Sequence, residues 1–166
     1  MFSWLRVGLC LCVASLAGCG GDNRDSLIAN TTTQMTEVAS AANNIKEKVD
    51  SFVTKKEAET KDEEGAKKDL DDAVGEAKRL KDIAKEMQRL SGRASTYAAP
   101  TPEEMKKFPE TNRDRINGSR EQLVSAHRAM KESLAKAKTK YEEPLQPLMQ
   151  ALNDAEGEFV AITRRK

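Results

Sequence analysis

The chain has 166 residues, of which 33% are charged, 38% hydrophobic and only 4% aromatic, and 28 lysines and arginines face 27 aspartates and glutamates. That balance argues against a nucleic-acid partner, which needs a basic stripe. Much charge with few aromatics suits long amphipathic helices, and no segment alternates as a half-buried strand does, so an all-α chain is expected.

Met1 to Gly18 is laid out as an export signal. Arg6 is its one positive charge, Val7 to Ala14 is apolar, and Ala17-Gly18 are the small residues before Cys19. Roughly ten apolar residues are too few for a permanent membrane span, which needs about twenty. The run Leu16-Ala17-Gly18-Cys19 resembles the lipobox of bacterial lipoproteins. The resemblance implies diacylglyceryl transfer to the Cys19 thiol and cleavage between Gly18 and Cys19, so that acyl chains hold the mature protein to a membrane. Cys10 and Cys12 each follow a leucine, which suits that processing poorly. Gly20 is not the aspartate that resembles an inner-membrane retention signal. The implied location is the cell envelope, at the outer membrane where there are two. Removing the leader takes Arg6 with it and leaves 27 charges of each sign. Cys19 is then the one cysteine and is acylated, so apolar burial rather than disulfides must hold the domain.

Residues 19–26 read as the lipidated cysteine and a short polar tether, and residues 27–166 as one helical domain. With Asp25 or Ser26 as N-cap, a helix is expected to begin near Leu27. Its stripe is Ile28, Thr31, Met35, Val38, Ala42, Ile45, Val49 and Phe52, spaced three and four as in a heptad seam, with Leu27 and Val53 beside it. From Lys55 to Lys68 the seam positions Lys56, Glu59 and Glu63 are charged. The helix either continues in phase or turns near Gly65. A second helix over about Ala66 to Leu90 carries Ala66, Leu70, Ala73, Ala77, Leu80, Ala84 and Met87, flanked by Val74, Ile83 and Leu90. So many alanines imply close approach to a partner helix.

A loop is expected near 91–118. Gly92, Pro100 and Pro102 break the pattern; Thr101-Pro102-Glu103-Glu104 restarts a helix that Pro109 cuts short. Helix resumes at Thr111 or only at Ser119. Asn117-Gly118, a turn signal, and the capping-box pattern Ser119 to Gln122 support the later start. The next stripe is Leu123, His127, Met130, Leu134, Ala137 and Tyr141. Pro144 and Pro147 follow, which makes Glu143 a boundary or a kink. A last helix carries Leu145, Leu148, Leu152, Ala155, Phe159 and Ile162 and ends in Arg164-Arg165-Lys166. The expected assembly is an antiparallel four-helix bundle with alternating direction and both termini at one end. The rival is an extended antiparallel coiled coil, with helix continuing through 59–65, through 143–147, or through both.

Chemistry is sparse. His127 is the only histidine, lies on an apolar stripe, and has no Glu-x-x-His partner, so it reads as a core-edge residue rather than a ligand. No Gly-x-Ser-x-Gly elbow or phosphate loop occurs, and the acids alternate with lysines as solvated helix faces do. Asn30-Thr31-Thr32 and Asn117-Gly118-Ser119 match glycosylation spacing by chance. No catalysis, cofactor or metal is expected. A lipid anchor at Cys19, heptad helices and a terminal Lys166 are together similar to the Braun murein lipoprotein family. That resemblance implies a peptidoglycan link through Lys166, with Arg164 and Arg165 beside it; the plainer reading of these three is a basic helix end or a contact with lipid headgroups. Members of that family are a single helix, whereas this chain is longer and broken by loops. The expected function is therefore a membrane-anchored, non-catalytic helical module, acting by contact with an unidentified protein or as a spacer. Alternatives are the wall-linked structural protein and a small-ligand carrier with an apolar slot between helices.

Overall fold

The computed structural model describes residues 21–91 and 109–164, with side-chain surroundings for residues 29, 32–87 and 109–159. They form four helices: α1 (Gly21–Glu57), α2 (Glu63–Ser91), α3 (Glu110–Tyr141) and α4 (Gln146–Arg164). The four-helix bundle expected from the stripes is the fold of the described residues, with direction alternating along the chain although two neighbouring pairs are parallel. The extended coiled coil is set aside, because the chain turns at both questioned breaks.

The apolar stripes are the core. Met35, Val38, Ala42, Ile45, Val49 and Phe52 of α1 are buried, as are Ala66, Ala73, Ala77, Leu80, Ala84 and Met87 of α2. Leu123, Met130, Leu134 and Ala137 of α3 join them, with Leu145, Leu148, Leu152, Ala155 and Phe159 from the α3–α4 corner and α4. Leu70 and Tyr141 are partly buried against this core. Ile28, Thr31, Leu90 and Ile162 lie in segments whose side-chain surroundings are not described.

Three boundaries differ from expectation. α1 starts at Gly21, so residues 21–26 of the expected tether are helical. Nothing from Asp22 to Ser26 breaks a helix, and acids such as Asp22 and Asp25 suit a helix start. α2 starts at Glu63 rather than Ala66. Asp62 is its cap: the Gly65 amide donates to Asp62 Oδ1 at 2.9 Å, and Ala66 N donates to Asp62 O at 2.9 Å. Gly65 thus sits inside the first turn. α3 starts at Glu110 and runs through Asn117-Gly118, so 110–118 is helix, not loop, and Ser119 to Gln122 is no capping box. Ile116 and Leu123, two turns apart, are both buried on one face, which holds the helix across the glycine. The expected short helix at 101–108 lies outside the described residues.

The α3–α4 corner needs no glycine. Leu145 N donates to Tyr141 O at 3.3 Å and Gln146 N to Glu143 O at 3.1 Å, so the backbone stays wound around Pro144. Pro147 falls in the first turn of α4, where its missing N–H has no intrahelical partner to lose.

Neighbours are fixed by polar contacts as well as by stripes. Lys48 meets Asp72, Ser51 meets Asp69 and Lys56 meets Glu63, so partners step back along α2 as they step forward along α1. That pair is antiparallel. Asp50 meets Ser133 and Glu57 meets Lys140, each 83 residues on, so α3 lies parallel beside α1. Pro147 lies beside Val74 and Asp154 beside Lys81, so α4 lies parallel beside α2. The α1–α2, α1–α3 and α2–α4 pairs pack closely; α3 and α4, though consecutive, do not. Alanines on the first three helices permit close approach, whereas the inner face of α4 is mostly leucine and phenylalanine.

Candidate functional site

The described helices place the start of α1 and the end of α4 at one end of the bundle. Direction alternates over four helices, so α1 begins where α4 ends. Cys19, Arg165 and Lys166 lie outside the described residues. Arg164 is the last residue of α4, and its side-chain surroundings are not described.

His127 is 3% exposed, as its stripe position foretold. Burial, and then the nearby charge of Lys131, lowers its pKa from 6.5 to about 4. At neutral pH it is an uncharged core group. Among the described residues no group of three His, Cys, Asp or Glu side chains is placed to hold a metal ion. No described helix is long and apolar enough to cross a membrane.

The most organised polar cluster was not foreseen. Asp69 of α2 is 5% exposed. Its Oδ2 accepts from Ser51 Oγ and from Lys55 Nζ, both at 2.6 Å, while Lys48 Nζ stands 3.6 Å from Oδ1. Burial pushes this carboxyl up, but the bonds from Lys55 and Ser51 and the charges of Lys55 and Lys48 outweigh that and hold it below 3.8. On the other flank of α1, the buried Ser133 hydroxyl donates to Asp50 Oδ1 at 2.5 Å. Asp50 is also held below 3.8: burial raises it, and Lys46, Ser133 and the charge of Lys136 lower it further. Asp69 lies three residues after Ala66 and four before Ala73; Ser133 lies three after Met130 and four before Ala137. Helical spacing therefore put both beside a buried stripe, and that was the available signal. Each group here is bonded to another side chain of the bundle, which makes the cluster a tie between helices.

An apolar groove lies at the opposite end from the α1 start. It has a volume of about 290 Å³ and is lined by Phe52, Leu70, Val74, Pro144, Pro147 and Leu148, with Lys56 and Lys67 among its polar groups. Phe52 also meets Tyr141 edge to face, with ring centroids 5.2 Å apart. Compared with known proteins, the chain matches no protein family, no curated sequence and no solved structure.

Proposed function

We propose that this chain is a lipid-anchored, non-catalytic helical module of the bacterial cell envelope, acting as a spacer or a protein-contact surface. One observation carries the reading: Leu16-Ala17-Gly18-Cys19 follows an export-type leader and stands two residues ahead of a continuous helix of 37 residues. A helix of that length spans about 55 Å. Acylated at Cys19, it would carry the far end of the bundle well clear of the bilayer. Two or three acyl chains, as lipobox processing implies, hold durably where one does not. The buried Asp69 and Ser133 are engaged with Ser51, Lys55 and Asp50 of α1, which supports contact or spacing over chemistry.

Alternation of direction returns the end of α4 to the side where α1 begins. That counts against a wall link through Lys166, because the terminal lysine would lie toward the membrane. It suits instead a contact of Arg164, Arg165 and Lys166 with anionic headgroups.

The test is mass spectrometry of the mature N-terminus, purified from membranes of the producing bacterium. A triacyl or diacyl Cys19 is expected, with Cys19→Ala accumulating as unprocessed precursor. An unmodified Cys19, or cleavage at another bond, would sink the proposal.

A further inference from the structure

α3 and α4, joined by the tight corner at 142–145 and opposite in direction, had two ways to dock on the α1–α2 pair. They could dock with α3 on α1 and α4 on α2, as found, or be turned over, with α3 on α2 and α4 on α1. The second is the usual up-down arrangement, in which every neighbouring pair is antiparallel. The connection does not choose between them. Residues 92–109 number 18, and an extended chain of that length reaches up to about 60 Å. The apolar stripes do not choose either, since α1 and α2 both present small and aliphatic residues.

Charge separates the two. From Gln146 to Thr163, α4 has three acids, Asp154, Glu156 and Glu158, and no lysine or arginine. The flank of α2 beside it carries Lys78, Lys81 and Lys85 against a single acid, Asp82. Lys81 Nζ donates to Asp154 at 3.2 Å. By register, Lys81 is level with Ala39, and α1 from Leu27 to Ile45 has no lysine or arginine and one acid, Glu37. Turned over, α4 would lay its acids against a helix that offers no cation. On the other flank, α3 sets Ser133, Lys136 and Lys140 beside Asp50 and Glu57 of α1. Lys140 Nζ donates to Glu57 at 2.5 Å. Asp50 is level with Leu70 of α2, so the turned-over arrangement would take the buried Ser133 hydroxyl away from its Asp50 acceptor.

We infer that the side-chain charges of the four helices act as a docking code, which selects the parallel α1–α3 and α2–α4 pairing over the turned-over bundle. The acidic α4 is directed to the lysine flank of α2, and the lysines and serine of α3 to the acids of α1. The code works mainly by penalising the wrong arrangement, which would leave the acids of α4 without a cation and part Ser133 from Asp50.

The test measures the α2–α3 distance, which is diagonal in the found arrangement and between neighbours in the other. Spin labels at Lys68→Cys and Lys138→Cys are placed in the full chain, with Cys10, Cys12 and Cys19 replaced by serine, and read by pulsed dipolar spectroscopy. With native charges one narrow, long distance is expected. Lys78→Glu, Lys81→Glu and Lys85→Glu combined with Ser133→Ala should add a second, shorter distance, at a population on the order of a tenth or more. Restoring Ser133 and adding Asp154→Lys and Glu158→Lys to the three reversals should return the single long distance. Retention of the single distance by the reversed variant would overturn the inference. Should the reversed variant fail to fold, the compensated one decides: a single long distance supports the code, and a second distance or an unfolded chain refutes it.

Discussion

Acid should loosen this bundle well above the range in which its carboxylates titrate, and His127 is the reason. The imidazole is buried, and its pKa in the folded chain is lowered from 6.5 to about 4 by burial and by Lys131. A folded pKa below the unfolded one means that the unfolded chain binds the proton more readily. The stabilisation is therefore complete above pH 6.5 and is lost as pH falls from 6.5 through 4. One pKa unit corresponds to about 1.4 kcal/mol, so the loss is about 2 kcal/mol by pH 5 and about 3 kcal/mol near pH 4. That is a large part of the roughly 5–15 kcal/mol that holds a domain of this size. The assay is urea unfolding followed by circular dichroism at pH 7.5, 6.5, 5.5 and 4.5, for the native sequence and for His127→Leu. The native chain should lose stability steadily across this range, and the variant should lose little. Asp50 and Asp69, whose pKa values are lowered from 3.8, contribute stability that is present above pH 3.8 and lost only below it. They leave the window to the histidine. Parallel curves for the two proteins would refute the assignment of a neutral buried His127.

Other perturbations test the ties between helices. Asp69→Ala should cost on the order of 2 kcal/mol in urea unfolding, because the Ser51 hydroxyl and Lys55 lose a shared acceptor; a change within a few tenths would show that the cluster is incidental. Asp62→Ala should cost about 1 kcal/mol by removing the α2 cap. Gly65→Ala would drive its Cβ into the Asp62 carboxylate, so it should help only in the Asp62→Ala background; equal effects in both backgrounds, read as a double-mutant cycle, would contradict the cap. Leu80→Asp should abolish cooperative melting, since Leu80 is fully buried at the core and an unpaired charge there costs upward of about 4 kcal/mol.

The helices were legible wherever a stripe kept phase. From Met35 to Phe52 the spacing named six buried residues of α1, because a heptad pattern states directly which face leaves water. Local turn signals were less faithful. Asn117-Gly118 has the composition of a turn, yet no residue there adopts a positive φ, and burial of Ile116 and Leu123 keeps the helix intact. At 58–62 the balance fell the other way: the charged seam positions had no burial to gain, and Asp62 supplied a cap for a new start. The same two forces acted at both places, and the apolar residues on either side decided which prevailed.

Which helix lies beside which is a different kind of information. A stripe says that a face is buried, not against what, so Ala73 and Ala77 would read the same with α3 or α4 as neighbour. The discriminating residues stand on the edges of the stripes, where polar side chains are ordinarily read as solvated surface. Ser133 and Asp69 are 7% and 5% exposed, and a hydrophobic pattern does not mark them because serine and aspartate count against burial. Read instead as edge positions, three and four residues from named core residues, they announce a bonded partner on an adjacent helix. Applied to α4, that reasoning notes a helix with acids and no cation before Arg164 and seeks the lysine-bearing flank, which is α2. The proposed anchor at Cys19 would belong to a third kind: it rests on a short linear motif, which needs no fold to be recognised. Fold and pairing are thus written in separate residues, which is why the stripes could be right about the bundle while saying nothing of which helix lies beside which.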